Sequence, residues 1–233
     1  MKRIQSPIAS RDRAAFALPD LALLLGTILI LAALVIPAVS ASRERGRAAQ
    51  CVENLNHISK ALLKQAQDAD GKLPVSKSNP APGGWWTYKE GIQEQLAAGG
   101  AAAGKVFACP SDRGYGLGDE SATPFSQSPK HSFTSYVFNG VTLPGIPNVS
   151  GRALSSIRNP ARTLLIMEFT AHGPLSWHRS RTGLGNAPFY DGAESIVGFV
   201  DGHVAMTRFY YDGVNAAYTR DPIPGYDYQF SGD

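Results

Sequence analysis

Three residues in the second half of the chain have side chains that can bind a transition metal. His178, Asp201 and His203 offer two imidazoles and a carboxylate, which are usual ligands of such ions. Their spacing is not diagnostic, because an aspartate before a glycine in a turn and a histidine at a strand edge also have structural roles. Metal binding and a structural role are therefore both open for these residues.

A second candidate cation site consists of acidic residues close together in the chain. Asp112, Asp119 and Glu120 carry carboxylates of the kind that bind Ca²⁺. They do not follow the ligand order of an EF-hand loop. The pattern favours a solvated loop over a calcium site.

Motifs of the common enzyme classes are absent from the sequence. It contains no G-x-S-x-G, no H-E-x-x-H and no P-loop. The glycines at 114–118 lack the spacing and the strand-to-helix context of a dinucleotide site. Trp85, Trp86 and Tyr88 could stack on a sugar, although such aromatic residues more often close the edge of a core. We expect no enzymatic activity.

The net charge of +3 is confined to the start of the chain. There Lys2, Arg3, Arg11 and Arg13 face only one acid, Asp12, and the remaining residues carry equal numbers of basic and acidic groups. Nucleic-acid binding requires a clustered basic face. A neutral body predicts no nucleic-acid partner.

An uncharged apolar segment follows this basic start. No residue between 21 and 42 is charged, and a helix of about 22 residues is about 33 Å long, enough for a hydrocarbon core of about 30 Å. Gly26 and Pro37 are interruptions that membrane helices tolerate. This segment can span a membrane. The bounds of a leader peptide at 1–15 and a transmembrane helix at 16–42 are implied by the resemblance of FALPD at 16–20 to a known processing signal, described below.

The apolar spacing then changes to that of an amphipathic helix. Gly71 and Pro74 mark its end, so this helix is placed at 43–74. Its apolar positions recur every three or four residues: Ala48, Cys51, Val52, Leu55, Ile58, Leu62 and Ala66.

Residues 75–233 are predicted to form one α+β domain that packs on the amphipathic helix. Candidate strands rich in β-branched and aromatic residues lie at 105–108, 132–138, 163–169, 196–200 and 203–210. Asp201 and Gly202 predict a two-residue hairpin turn between the last two. The expected fold is a long N-terminal helix, half membrane and half amphipathic, against a small antiparallel sheet.

The N-terminal segment also resembles a known processing signal. The string FALPD at 16–20, followed by LAALVIPA at 31–38, resembles the class III signal of type IV pilins and type II secretion pseudopilins. Counted from Phe16, Asp20 is fifth and Pro37 is twenty-second, the places of the acid and the helix-kinking proline in that family. The family has glycine and glutamate where this chain has Ala15 and Asp20.

Strings further along the chain resemble one pseudopilin-like group. They are CVENL at 51–55, VFACPSD at 106–112 and FVDGHV at 199–204, and they look like the prepilin-type group named for its processing-associated H-X9-DG pattern. Here 22 residues separate His178 from the Asp-Gly pair. Either a loop insertion at 183–195 lengthens the spacing, or His178 is not the equivalent histidine.

The resemblance implies a pilin-like fold and a structural role. A prepilin peptidase would cut between Ala15 and Phe16, the new α-amino group would be methylated, and Asp20 would neutralise that amine of a neighbouring subunit. The partners implied are the membrane, the peptidase and other pilin-like subunits of a type II secretion or type IV pilus-like filament. The chain would cross the inner membrane once, with a cytoplasmic N-terminus and a periplasmic C-terminal domain.

That location bears on the two cysteines of the chain, Cys51 and Cys109. Thiols in an oxidising periplasm usually pair as disulfides. A bridge would join the amphipathic helix to the sheet domain. The alternative is that Cys51 only packs within the apolar stripe of the helix.

A different processing event is also compatible with the N-terminus. A basic start, an apolar stretch and the small residues Val39, Ser40 and Ala41 resemble a conventional signal peptide cut after Ala41. The apolar run exceeds the usual length of about 7–15 residues for such signals. In that alternative, the chain is an exported or membrane-tethered domain that binds a glycan or a metal.

Overall fold

The computed structural model describes residues 18–76, 84–98, 104–115, 123–141, 145–178, 189–214 and 221–233. The chain divides into two compact units, Met1–Arg43 and Glu44–Asp233. This division lies next to the change from apolar to amphipathic spacing at residue 43. In the first unit the described residues are all helical.

Helix α1 covers Leu18–Asp68, 51 residues that join the two segments predicted to be helical. The helix ends at Asp68, before the predicted end at residue 74. Pro37 lies inside it. The helix ends where Gly71 takes a left-handed conformation, with φ +74°, and its N–H donates to the carbonyl of Ala66 at 2.9 Å. Such a glycine satisfies a carbonyl that the end of a helix leaves without an intrahelical donor.

The second unit contains a four-stranded antiparallel sheet in the order β1-β2-β3-β4. The strands are β1 Tyr136–Phe138, β2 Leu164–Glu168, β3 Ala193–Phe199 and β4 Val204–Phe209. One row of the register runs across all four strands through Val137, Met167, Val197 and Ala205. The first three strands are buried throughout, including the polar residues Glu168 of β2 and Glu194 and Ser195 of β3.

The C-terminal half of α1 shares one hydrophobic core with the sheet. Its stripe is buried as the spacing predicted, through Cys51, Leu55, Ile58, Leu62 and Ala66. Gly198 of β3 lies against Ser59 so closely that a Cβ at residue 198 would be 2.3 Å from the serine Oγ. A residue without a side chain therefore permits this close approach of sheet and helix.

Three local predictions were wrong. Residues 105–108 do not form a strand, since Lys105–Phe107 is a 3-10 helix, and only Tyr136–Phe138 is a strand within 132–138. A second helix, α2 at Tyr88–Ala98, was not predicted. The final hairpin turn has three residues, 200–202, because the N–H of Phe199 already donates to the carbonyl of His203.

Candidate functional site

The N-terminal half of α1 carries an apolar surface on every side. None of the side chains from 19 to 42 is buried, and its large aliphatic residues, among them Leu23, Leu29 and Leu34, are exposed. Helix α1 is long and apolar enough to cross a membrane. A helix that is apolar all round requires lipid or other apolar helices around it.

The structure places two of the four processing and assembly residues. Asp20 lies exposed in the first turn of α1. The positive end of the helix dipole stabilises a carboxylate at this place. Pro37 lies inside the helix, and the Ser40 hydroxyl donates to its carbonyl at 2.9 Å. Ala15 and Phe16 lie outside the described residues.

Cys51 and Cys109 are joined in a disulfide, with their Cα atoms 5.1 Å apart. Cys51 lies in the buried stripe of α1, and Cys109 follows the 3-10 helix Lys105–Phe107. The bridge closes a loop with a sequence separation of 58 residues. It attaches α1 covalently to the sheet domain.

A buried acid–imidazole pair adjoins this disulfide. Nε2 of His178 lies 2.9 Å from Oε1 of Glu168, and the two side chains are 1% and 0% exposed. The second oxygen, Oε2, accepts the N–H of Ile196 in β3 at 2.8 Å. Cys109 Sγ lies 3.3 Å from Oε1 and 3.7 Å from Nε2. Sulfur, carboxylate and imidazole therefore meet at one buried point.

Glu44 in α1 holds the other nitrogen of the imidazole. Its Oε1 lies 3.2 Å from Nδ1 of His178 and accepts the Ser111 hydroxyl at 3.3 Å. Burial alone would lower the pKa of His178, but the charges and hydrogen bonds of Glu168 and Glu44 outweigh it and raise the pKa. His178 therefore links helix and sheet, with a carboxylate at each of its ring nitrogens.

The acidic residues considered as a calcium site are described only in part. Asp119 and Glu120 lie outside the described residues. Asp112 is buried, and its carboxylate accepts the Ser135 hydroxyl at 2.7 Å and the N–H groups of Ser126 and Gly114 at 2.9 and 3.0 Å. These donors give Asp112 a role in joining residues 104–115 to residues 123–141.

The three residues first considered as a metal site have different partners. His178 contacts Glu168 and Glu44, as described above. Asp201 lies in the β3–β4 turn and accepts hydrogen bonds from His203, whose Nδ1 is 2.6 Å and whose backbone N is 3.1 Å from Oδ1. The His203 ring also stacks on Phe199 with centroids 4.3 Å apart. Asp201 and His203 thus order the hairpin turn.

The aromatic cluster at 85–88 belongs to the edge of the core. Trp86 and Tyr88 are buried, and the Tyr88 hydroxyl donates to the carbonyl of Tyr136 at 3.1 Å. Trp85 stacks on the buried ring of His172, with centroids 4.7 Å apart. Burial lowers the pKa of His172 to about 4.

Sequence reasoning missed Glu168 and Glu44 as members of the buried cluster. Glu168 carried a signal, because it is the one charge in the apolar string TLLIMEF at 163–169, and a charge in a buried strand requires a partner. Glu44 carried none, since it lies among alternating charges typical of a solvated helix face.

Comparison of the chain with protein-family models, with curated proteins and with solved structures found no match.

Proposed function

We propose that the chain is a pseudopilin, a pilin-like subunit of a type II secretion or type IV pilus-like filament. The observation that carries the proposal is helix α1. One half exposes apolar side chains on every side, and the other half packs on a small antiparallel sheet. A filament of bundled helices supplies the apolar surroundings that the first half requires.

The proposed assembly depends on Phe16 and Asp20. Prepilin peptidase cuts between Ala15 and Phe16 and leaves an α-amino group at the start of the helix. Burying that amine without a counter-charge would be costly. The carboxylate of Asp20 in a neighbouring subunit neutralises it, which sets the stagger between subunits.

In this proposal the precursor crosses the inner membrane once, with its N-terminus in the cytoplasm and residues 75–233 in the periplasm. The sheet domain has no catalytic role. Its disulfide and the Glu44–His178–Glu168 contacts hold α1 rigidly on the sheet. A filament under assembly force benefits from such a fixed attachment.

Sequencing the N-terminus of the mature protein tests the proposal. A mature chain that begins at N-methylated Phe16 is the expected result. A chain that begins at Ser42 would contradict the proposal and support the alternative of an exported binding domain. A chain that retains Met1 would exclude both cuts.

A further inference from the structure

Four buried side chains from four segments meet beside β2. They are Cys51 of α1, Cys109, Glu168 at the end of β2, and His178. One ligand atom from each lies within 4.8 Å of all the others. The four residues are all nearly inaccessible to solvent.

We propose that reduction of the Cys51–Cys109 disulfide converts this cluster into a tetrahedral Zn²⁺ site with two thiolates, His178 Nε2 and Glu168 Oε1 as ligands. This ligand set differs from the one that the sequence suggested, His178 with Asp201 and His203. Zinc binding would be a property in addition to the proposed filament role. Thiolate, imidazole and carboxylate are the side chains that bind zinc in proteins.

The spacing of the cluster is close to that of a zinc centre. With Zn–S of about 2.3 Å and Zn–N or Zn–O of about 2.0 Å, tetrahedral ligands lie about 3.3–3.8 Å apart. Cys109 Sγ already lies 3.3 Å from Glu168 Oε1 and 3.7 Å from His178 Nε2. The Glu168–His178 pair, now 2.9 Å apart, has to open slightly, and the two sulfurs have to separate once their bond is broken.

The outer contacts already orient these ligands. Metal-bound histidines usually donate their second N–H to a carboxylate. Glu44 Oε1 lies 3.2 Å from Nδ1 of His178, so that Nε2 faces Glu168 Oε1 at 2.9 Å and Cys109 Sγ at 3.7 Å. Likewise, the N–H of Ile196 holds Oε2 of Glu168, so Oε1 faces the cluster. Both ligands are therefore positioned by contacts that zinc binding does not have to break.

The chemistry balances with a dithiol as reductant. Thiol–disulfide exchange gives the chain two thiols while the dithiol is oxidised to its own disulfide. Zn²⁺ then displaces the two thiol protons and the proton that Nε2 of His178 donates to Glu168, and all of these pass to solvent. Disulfide and zinc are mutually exclusive ways to connect α1 with the same segment, so the metal preserves the attachment when the bond is lost.

The test compares oxidised and reduced full-length chain in detergent micelles, with Co²⁺ as a spectroscopic probe in place of Zn²⁺. The reduced chain should bind one equivalent, with thiolate-to-cobalt charge-transfer bands and the intense visible bands of tetrahedral cobalt, and Zn²⁺ should displace it. The oxidised chain should show neither band. Cobalt bound without charge-transfer bands, or bound equally by both forms, would overturn the proposal.

Two variants separate the site from adventitious surface binding. Glu44→Gln should weaken Co²⁺ binding to the reduced chain about 10–100-fold, since it removes the carboxylate that orients His178 but none of the four ligands. Asp68→Asn, an exposed acid on the same helix that pairs with Lys64, should leave affinity unchanged. Equal effects of the two substitutions would contradict the assignment.

Discussion

The carboxylate of Glu168 is shared between two elements: one oxygen lies 2.9 Å from Nε2 of His178, and the other accepts the N–H of Ile196 at 2.8 Å. Removing the imidazole leaves the buried Glu168 carboxylate without this partner. We expect His178→Phe to lower the free energy of unfolding of the oxidised chain by about 3–5 kcal/mol, measured in detergent by near-UV circular dichroism.

His203→Phe is the matched control for this substitution. His203 is about half exposed, and its carboxylate partner Asp201 lies in a turn. The expected loss is below about 1 kcal/mol. Similar losses for the two variants would show that the Glu168–His178 pair does not stabilise the fold.

The disulfide should contribute much of the free energy of unfolding of the second unit. For a sequence separation of 58 residues, the chain-entropy model assigns about 4 kcal/mol to loop closure. We expect the double variant Cys51→Ala, Cys109→Ala to lose about that amount relative to the oxidised chain. Unfolding should be followed with a chelator present, so that no metal replaces the bond.

Alkylation of the unfolded parent chain provides the control for this prediction, because both cysteines are buried in the fold. A chain purified from the cell envelope and unfolded in denaturant should take up no alkylating reagent before reduction and two equivalents after it. Two reactive thiols before reduction would contradict the disulfide. A double variant as stable as the parent would show instead that the bridge forms without constraining the unfolded chain.

Sequence patterns predicted the structure of segments that is set by neighbouring residues. They failed for segments whose structure depends on contacts with distant parts of the chain. The spacing from Cys51 to Ala66 predicted the buried face of α1, because a helix repeats every 3.6 residues whatever it packs on. The apolar string at 105–108 has no such period, and it became a 3-10 helix with Val106 and Phe107 buried. Helix α2 was missed because its short amphipathic pattern adjoins the Ala- and Gly-rich run at 97–104.

The candidate site was harder to predict than the fold. Cys51 and Cys109 could be paired from their number and the implied compartment. The contact of His178 with Glu168 and Glu44 depends on how β2, the loop after it and α1 are arranged in space. No spacing in the sequence encodes that arrangement, and so His178 was grouped with Asp201 and His203, which follow it in the chain.

The close approach of β3 to α1 makes Gly198 sensitive to substitution. Alanine at this position would place its Cβ 2.3 Å from Ser59 Oγ and 3.0 Å from Ile166 Cγ2. We expect Gly198→Ala to destabilise the second unit by about 1–3 kcal/mol through overpacking. The measurement is the midpoint of chemical unfolding in detergent.

Gly46→Ala is the control, because this glycine lies inside α1 with open space around it. Alanine there should stabilise the chain by about 0.5–1 kcal/mol, since glycine is a poor helix former. Opposite signs for the two substitutions are the expected result. A stabilising Gly198→Ala would mean that sheet and helix do not lie in close contact at this point.

Stability should fall in mild acid because of His172. Its pKa is lowered by burial to about 4, against about 6.5 in the unfolded chain. Between these values the unfolded state binds more protons, so the free energy of unfolding decreases as pH falls. We expect the chain to lose about 3 kcal/mol between pH 7 and pH 4 relative to His172→Phe, which keeps an aromatic ring beside Trp85.

The comparison with His172→Phe removes the contributions of other titrating groups, which both proteins share. His57→Phe, at a half-exposed position of α1 where the histidine pairs with the exposed Glu53, is the control for the added aromatic ring. A pH profile of His172→Phe that runs parallel to that of the parent would show that His172 does not stay neutral in the folded chain.

The proposed subunit contact predicts a defect confined to assembly when Asp20 is replaced. Asp20→Ala removes the carboxylate that would neutralise the α-amino group of Phe16 in a neighbouring subunit, while the apolar surface that follows it on α1 is unchanged. We expect the variant to remain in the membrane fraction and to form at least tenfold less filament, since one unpaired buried charge costs more than the roughly 1.4 kcal/mol that corresponds to a factor of ten. Asp68→Ala, at the other end of the same helix, should assemble normally. The amount of filament formed by each variant is measured by shearing and immunoblot. Normal assembly of Asp20→Ala would disprove the pairing with the neighbouring amine, and membrane anchoring would remain part of the proposal.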